Sequence, residues 1–264
     1  VFASLNGTVY VAGMEPGDAP RVIGRHDAAP CTDTVFSPDG RLVATAGHDP
    51  WVRLIDPATG DEVAARELTR VEWPSDRCAS VRWAPDGRRL AVTAPDGRVH
   101  VLDARTLALE RILAANLPWP RALRFSRDGR LLVAGAHWGM LAAWDTDTWE
   151  IVSAGYDDAA GDLSDLVVTP DNAFAITAGV DGFLRRYDIR QGRYVAGVRA
   201  HDAWVNEVAL SPDGTTLLTG SDDARLRIWN AADFALLRTV DAGIQVAGIA
   251  FAPDGKRFSS GSLG

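Results

Sequence analysis

Apolar residues along this chain fall into short runs with a period of two, and no segment holds the 3.6-residue period of a helix. The runs are separated by turn residues. One four-residue turn recurs six times: Ser37-Pro38-Asp39-Gly40, Ala84-Pro85-Asp86-Gly87, Ser126-Arg127-Asp128-Gly129, Thr169-Pro170-Asp171-Asn172, Ser211-Pro212-Asp213-Gly214 and Ala252-Pro253-Asp254-Gly255. Its Asp residues are spaced 47, 42, 43, 42 and 41 apart. Pro presets φ near about −65°, Asp tolerates the bridge region, and Gly or Asn takes the left-handed position. Phe36, Trp83, Phe125, Val168, Leu210 and Phe251 stand immediately before the turns. Thr34, Val81, Leu123, Leu166, Val208 and Ile249 stand two residues earlier. This predicts a strand with one strongly buried face, followed after each turn by a second apolar strand such as LVATAG or FAITAG.

A third strand ends in a large apolar residue and an Asp-type residue: Ile55-Asp56, Leu102-Asp103, Trp144-Asp145, Tyr187-Asp188 and Trp229-Asn230. Asp or Asn there suits an Asx turn into a fourth strand. The repeating unit is thus four antiparallel strands in about 43 residues, which is the blade of a β-propeller. The expected fold class is all-β, with blades over residues 31–68, 78–115, 120–156, 163–200 and 205–241, and a sixth over 246–264 that residues 1–25 complete if a ring closes. Asn6-Gly7 signals a tight hairpin into TVYVAG, read as a third strand. Joining the termini gives a closing spacing of 47, which also occurs within the chain, so a six-blade ring is arithmetically sound. VFASL and RFSSGSLG both read as second strands, and the chain does not begin with Met, so an excised piece of an array of seven or more blades is an equal reading.

The fifth unit is the most complete. It reads His201-Asp-Ala-Trp-Val205, Ser-Pro-Asp-Gly, Thr219-Gly-Ser-Asp-Asp223 and Leu226-Arg-Ile-Trp229-Asn230. On these residues the chain resembles the WD-repeat (WD40) family over nearly its whole length. The resemblance implies a structural tetrad of His201, Thr219, Asp223 and Trp229, hydrogen-bonded within one blade. Other units depart from that pattern. The first has His26, Thr45 and Asp49 but Ile55 for Trp; the second has Asp96 with Val92 and Leu102; the third has Trp144 with Trp138 at the Asp position; the fourth has Thr177 and Asp181 with Tyr187 and no His. TolB-like and YVTN-like propellers share the turn and similar periods, so the subfamily stays open.

Composition narrows the function classes. The chain has 264 residues, 47% hydrophobic and 23% charged, which excludes wholesale disorder. Its net charge is −8, Lys256 is the only lysine, and basic residues do not cluster, so no nucleic-acid partner is expected. No apolar run approaches the roughly 20 residues of a membrane span, and the N-terminus lacks signal-peptide character. The expectation is therefore a cytoplasmic protein with no membrane association. Two cysteines, Cys31 and Cys78, at equivalent positions six residues before their turns, read as small buried hydrophobes.

Catalytic chemistry is not signalled. HExxH, CxxC, P-loop, GxGxxG and GxSxG patterns are missing, and the five histidines lie far apart. No catalytic residue, metal or cofactor is expected. Asp157, Asp158, Asp162 and Asp165 form an acidic loop read chiefly as solvated, with a cation or a basic partner as the alternative. The aromatic pattern is more informative. By register Trp73, Trp119 and Trp204 fall in or beside the loops that lead into blades, and Trp51 and Trp138 in loops between second and third strands. The resemblance places both kinds of loop on one rim. With Arg70 and Arg77 these tryptophans are the candidate partner-binding residues, since exposed Trp and Arg anchor interfaces. The expected function is a non-catalytic scaffold or regulatory propeller for a protein partner, itself monomeric and part of a larger multidomain protein. The alternative is an enzyme or cofactor-binding propeller, lactonase-like or haem-binding, with a site in the central channel. The strand-entering residues Cys31, Cys78, Pro120, Leu163, Val205 and Val246 speak against it, being apolar.

Overall fold

The structure, a computed structural model, describes every residue except 4–5, 13–17, 27–29, 69–79, 95, 114, 116, 158–159 and 263–264. Among the described residues it contains five four-stranded antiparallel sheets, a three-stranded sheet before them and a strand pair after them. This is the architecture of propeller blades. Sheet I comprises Cys31–Phe36, Val43–Gly47, Trp51–Ile55 and Glu62–Glu67. Sheet II comprises Val81–Trp83, Arg89–Thr93, Val99–Asp103 and Leu109–Leu113. Sheet III comprises Ala122–Phe125, Leu131–Gly135, Leu141–Asp145 and Ile151–Gly155. Sheet IV comprises Leu163–Val168, Phe174–Gly179, Phe183–Asp188 and Arg193–Arg199. Sheet V comprises Val205–Leu210, Thr216–Ser221, Arg225–Asn230 and Leu236–Asp241. Phe2–Ala3, Thr8–Val11 and Arg21–Arg25 form the N-terminal sheet, and Gly248–Phe251 pairs with Phe258–Gly261 at the other end. The chain divides into two compact units, Val1–Phe125 and Ser126–Gly264, at the turn inside sheet III.

Burial follows strand position. The second strand of sheet I is buried throughout, whereas its fourth strand is mostly exposed. The cores lie between successive sheets, so inner strands are covered on both faces and read as continuous apolar runs. In the first unit, Leu54, Val52 and Ala46 of sheet I pack with Leu90, Leu102 and Leu107 of sheet II. In the second unit, Ile176 and Leu184 of sheet IV pack with Val208, Leu217 and Trp229 of sheet V. One expectation needs correction. Leu123, Leu166 and Val208 are buried as the alternation requires, but Phe36 is 37% exposed and Phe125, Val168, Leu210 and Phe251 are half-buried. They stand at the strand end beside the turn, where the neighbouring sheet no longer covers them.

The repeated turns are hydrogen-bonded as their chemistry suggests. Ser37 Oγ donates to Asp39 Oδ1 at 2.7 Å and accepts the Leu42 N–H at 2.9 Å. Ser211 does the same with Asp213 and Thr216. At the end of the third strands, Asp56, Asp103, Asp145, Asp188 and Asn230 each accept a backbone N–H two or three residues on. The residue closing that turn is left-handed in all five sheets: Gly60, Leu107, Trp149, Gly192 and Phe234. In the non-glycine cases this costs about 1–2 kcal/mol. Leu107 and Phe234 are buried, and their packing offsets the strain.

Candidate interaction surface

In sheet V the side chains of Trp229, Thr219, His201 and Asp223 form one hydrogen-bonded chain. Trp229 Nε1–H donates to Thr219 Oγ1 at 3.0 Å, and Thr219 Oγ1 meets His201 Nε2 at 2.7 Å. His201 Nδ1 lies 3.0 Å from Asp223. Burial pulls the His201 pKa below its ordinary value, against the opposing pull of Asp223, so the ring is neutral at pH 7. That fixes the proton on Nδ1, facing the carboxylate, and leaves Nε2 to accept from the threonine. Burial pushes Asp223 upward, but the hydrogen bond from His201 and the backbone N–H groups of Asp202 and Arg225 outweigh it, and the carboxyl titrates below the usual range. Asp223 thereby ties the loop before sheet V to the loop between its second and third strands. In sheet I, His26 bridges Asp49 at 2.8 Å and Thr45 at 2.9 Å, with Ile55 filling the tryptophan position.

Sequence reasoning missed a companion to each Asp. Four residues on stands a basic side chain: Arg53 lies 3.1 Å from Asp49, His100 3.0 Å from Asp96, Arg185 2.6 Å from Asp181 and Arg227 3.8 Å from Asp223. Sheet III, which has Trp138 in place of the Asp, has Ala142 in place of the base. Comparing the units at this offset would have shown it. A second device joins successive sheets. Asp33 accepts from Ser80 Oγ, the Val81 N–H and Arg82 in the first unit. In the second unit Asp165 accepts the Val208 N–H at 3.2 Å, and Glu207 the Ile249 N–H at 2.7 Å. All three acids stand four residues before the first residue of their turn.

The loops carry the candidate residues. Trp119 is 50% exposed in the first unit, and Trp138 and Trp204 are 60% and 53% exposed in the second. Trp138 is left-handed, with φ 56°. Its N–H donates to Asp162 Oδ1 at 3.2 Å, the next residue's N–H donates to Gly161 O at 2.9 Å, and Tyr194 donates to Gly139 O. Trp204 O accepts the Asp222 N–H at 3.1 Å. Trp51 is half-buried, with the Arg53 guanidinium 5.5 Å above its ring, and so offers less free surface than its register suggests. Trp73, Arg70 and Arg77 lie outside the described residues, as do Asp158 and Cys78.

The remaining members of the acidic loop do not converge on one point. Asp157 pairs with Arg185, Asp162 with His137 at 3.0 Å, and Asp165 is the buried link to Val208. Among the described residues no group of three or more His, Cys, Asp or Glu is placed to hold a metal ion. Of the apolar strand-entering residues, Cys31, Leu163 and Val205 are buried inside the sheets. The polar residues after them, Thr32, Ser164 and Asn206, sit where the register with the second strand shifts. Each donates to a backbone carbonyl: Thr32 to Ala46 O, Ser164 to Ala178 O, Asn206 to Val246 O. The apolar residues therefore say little about a channel. Cys31 carries a free thiol, and burial pushes its pKa up to about 12.

The hydrogen-bonded chain of sheet V lies within a segment that matches a family model. The model described as "WD domain, G-beta repeat" matches residues 18–56 and 192–230. The two matched segments are WD40 repeats. The chain is 28% identical over 208 residues to the target of rapamycin complex subunit wat1 of Schizosaccharomyces pombe, covering 76% of this chain and 65% of that protein. It is 27% identical over 185 residues to the WD repeat-containing protein slp1 of the same organism, covering 69% of this chain and 38% of that one. The mouse serine-threonine kinase receptor-associated protein is 23% identical over 194 residues, covering 74% of this chain and 53% of its own length. The chain thus spans less than two thirds of each of these relatives. Among its described residues no helix is long and apolar enough to cross a membrane.

Proposed function

We propose that this chain is a non-catalytic interaction platform, monomeric and cytoplasmic, whose loops dock a protein partner as one part of a longer protein. The observation that carries this reading is the exposure of Trp119, Trp138 and Trp204, each at least half in solvent. An indole is a large contact surface with little side-chain entropy to lose, and anchored loops lower the ordering cost further. Trp138 and Trp204 stand on backbone hydrogen-bonded to neighbouring loops, so a partner would meet them already oriented. One relative is by name a subunit of a target of rapamycin complex, and another is by name associated with a kinase receptor, which supports a role within assemblies.

The test is quantitative pull-down with Trp138→Ala and Trp204→Ala, each checked for an unchanged melting temperature. Each should reduce partner recovery by about tenfold or more, as loss of an interface hot spot does. Undiminished recovery with both variants would sink the rim assignment.

A further inference from the structure

In the second unit, the loops at one end of sheets III, IV and V are residues 136–140, 156–162, 180–182, 200–204 and 222–224. Together they contain seven aspartates and neither lysine nor arginine. They form a continuous ridge. Gly139 packs on Ala160, Gly161 on Val180 and Gly182 on Ala203, each so closely that a Cβ there would press on its neighbour. The Asp222 N–H donates to Trp204 O at 3.1 Å and closes the series. The guanidiniums that answer these acids come from the third strands beneath. Arg185 serves both Asp157 and Asp181, Arg227 lies 3.8 Å from Asp223, and Arg225 lies 3.4 Å from Asp202. At the outer strand ends Arg199 and Asp241 offset each other. The ridge stays net negative even with His137, which pairs with Asp162, counted as charged.

An aromatic face beside the acids selects the occupant. Trp204 is 53% exposed. Asp202 stands two residues before it in the same loop, and Asp222 is tied to it by the backbone bond. Asp222 Oδ1 accepts from the neutral Asn206 amide at 2.7 Å, so among the described residues its charge has no counterion. Asp202 has Arg225, but those side chains are 73% and 45% exposed, and so open a pair is weak. An indole face attracts a cation. A guanidinium, being planar and weakly hydrated, can stack on the ring while its edge donates to a carboxylate. The chain makes this arrangement twice from its own residues. The Arg53 guanidinium lies 5.5 Å from the Trp51 ring and 3.1 Å from Asp49; that of Arg185 lies 4.8 Å from the Phe183 ring and 2.6 Å from Asp181. At Trp204 the ring and the carboxylates are present, and the ring face is open to solvent. The same carboxylates repel an acidic segment.

We propose that this ridge docks a basic segment of the protein partner, an arginine of which stacks on the Trp204 indole and pairs with Asp202 and Asp222. The proposal rests on the platform reading and adds the partner's chemistry to it. The experiment is an NMR titration of the ¹⁵N-labelled chain with N-acetyl-Gly-Arg-Gly-Arg-amide, against the same peptide with both arginines replaced by citrulline, their neutral isostere. The Arg peptide should shift the Trp204 indole N–H and the Asp222 amide saturably. The citrulline peptide should bind about fivefold more weakly or less. Asp222→Asn, which keeps an acceptor for Asn206, should weaken the Arg peptide about threefold to fivefold, as for an exposed ion pair. Trp204→Ala should weaken it about fivefold and identifies the indole resonance by its loss. Unshifted resonances elsewhere show that each variant is folded. Raising the salt from about 0.02 M to about 0.2 M should also weaken binding, because exposed charges are screened. Equal binding of the two peptides, undiminished binding by Asp222→Asn, or no saturable shift would overturn the proposal. If Trp204→Ala lowers partner recovery in that case, the platform stands and the basic partner alone falls.

Discussion

Thr219 serves two buried partners with one oxygen. It accepts from the Trp229 indole and donates to His201, and no part of it is exposed. Valine has nearly the same shape but neither capacity. Thr219→Val should therefore orphan a donor on Trp229 and an acceptor on His201 at once, at a cost of about 2–3 kcal/mol. Urea denaturation against the wild type measures this. A change within about 0.5 kcal/mol would mean that water replaces the hydroxyl and that the chain adds little to stability. Elsewhere the repeat tolerates loss of the motif. Sheet I has Ile55 where sheet V has Trp229, and Ile55 is buried against Val9, Ile23 and Val43.

At the scale of strands and sheets, an acid on the first strand holds sheets I, IV and V each to the strands that follow. Asp165 is 6% exposed and accepts the Val208 N–H. Asp165→Ala leaves that N–H without its partner and should cost about 1–3 kcal/mol. Alanine is sterically acceptable, since Ala122 occupies the same register position in sheet III. Hydrogen exchange at Val208 should accelerate in the variant, and unchanged protection there would show that the link is redundant. These links explain what the sequence could and could not disclose. The strands and turns were legible because each is written locally, in alternation and in Pro-Asp-Gly. The chain from His201 to Trp229 was legible because the resemblance supplied the spacing. The links from Asp33, Asp165 and Glu207 were not, because each reaches a backbone N–H group 42 to 48 residues away, which carries no side-chain signature. The pairing of Asp157 with Arg185 escaped for a related reason: four acids in one loop look alike until the neighbouring sheet is in place.

At the scale of the molecule, the histidine and carboxylates whose shifts are resolved among the described residues all titrate low. Burial holds His201 below the ordinary histidine value of 6.5, so the folded state favours its neutral form. That contribution is complete above pH 6.5 and fades as the pH falls through that value. Asp49, Asp96, Asp181 and Asp223 all titrate below the ordinary 3.8: burial raises each, and hydrogen bonds and charges from His26, His100, Arg185 and His201 outweigh it. Their contribution is present above 3.8 and is lost below it. Stability should therefore plateau near neutrality, decline gently below pH 6.5 and fall more steeply below pH 4. Urea midpoints across this range read the profile, and a midpoint flat from pH 7 to 5 would contradict the histidine part of it.

The buried thiol of Cys31 turns the fold into its own recorder. With its pKa near 12 and its side chain enclosed, it cannot be alkylated while sheet I stays closed. Every labelling event at this sulfur therefore timestamps an opening of that sheet. Mass spectrometry on the peptide containing Cys31 converts the rate into a local opening equilibrium, without an added dye or an engineered cysteine. The neighbouring acid, Asp33, lies on the same strand and holds the next sheet, so the clock is placed where loosening between the first two blades would register.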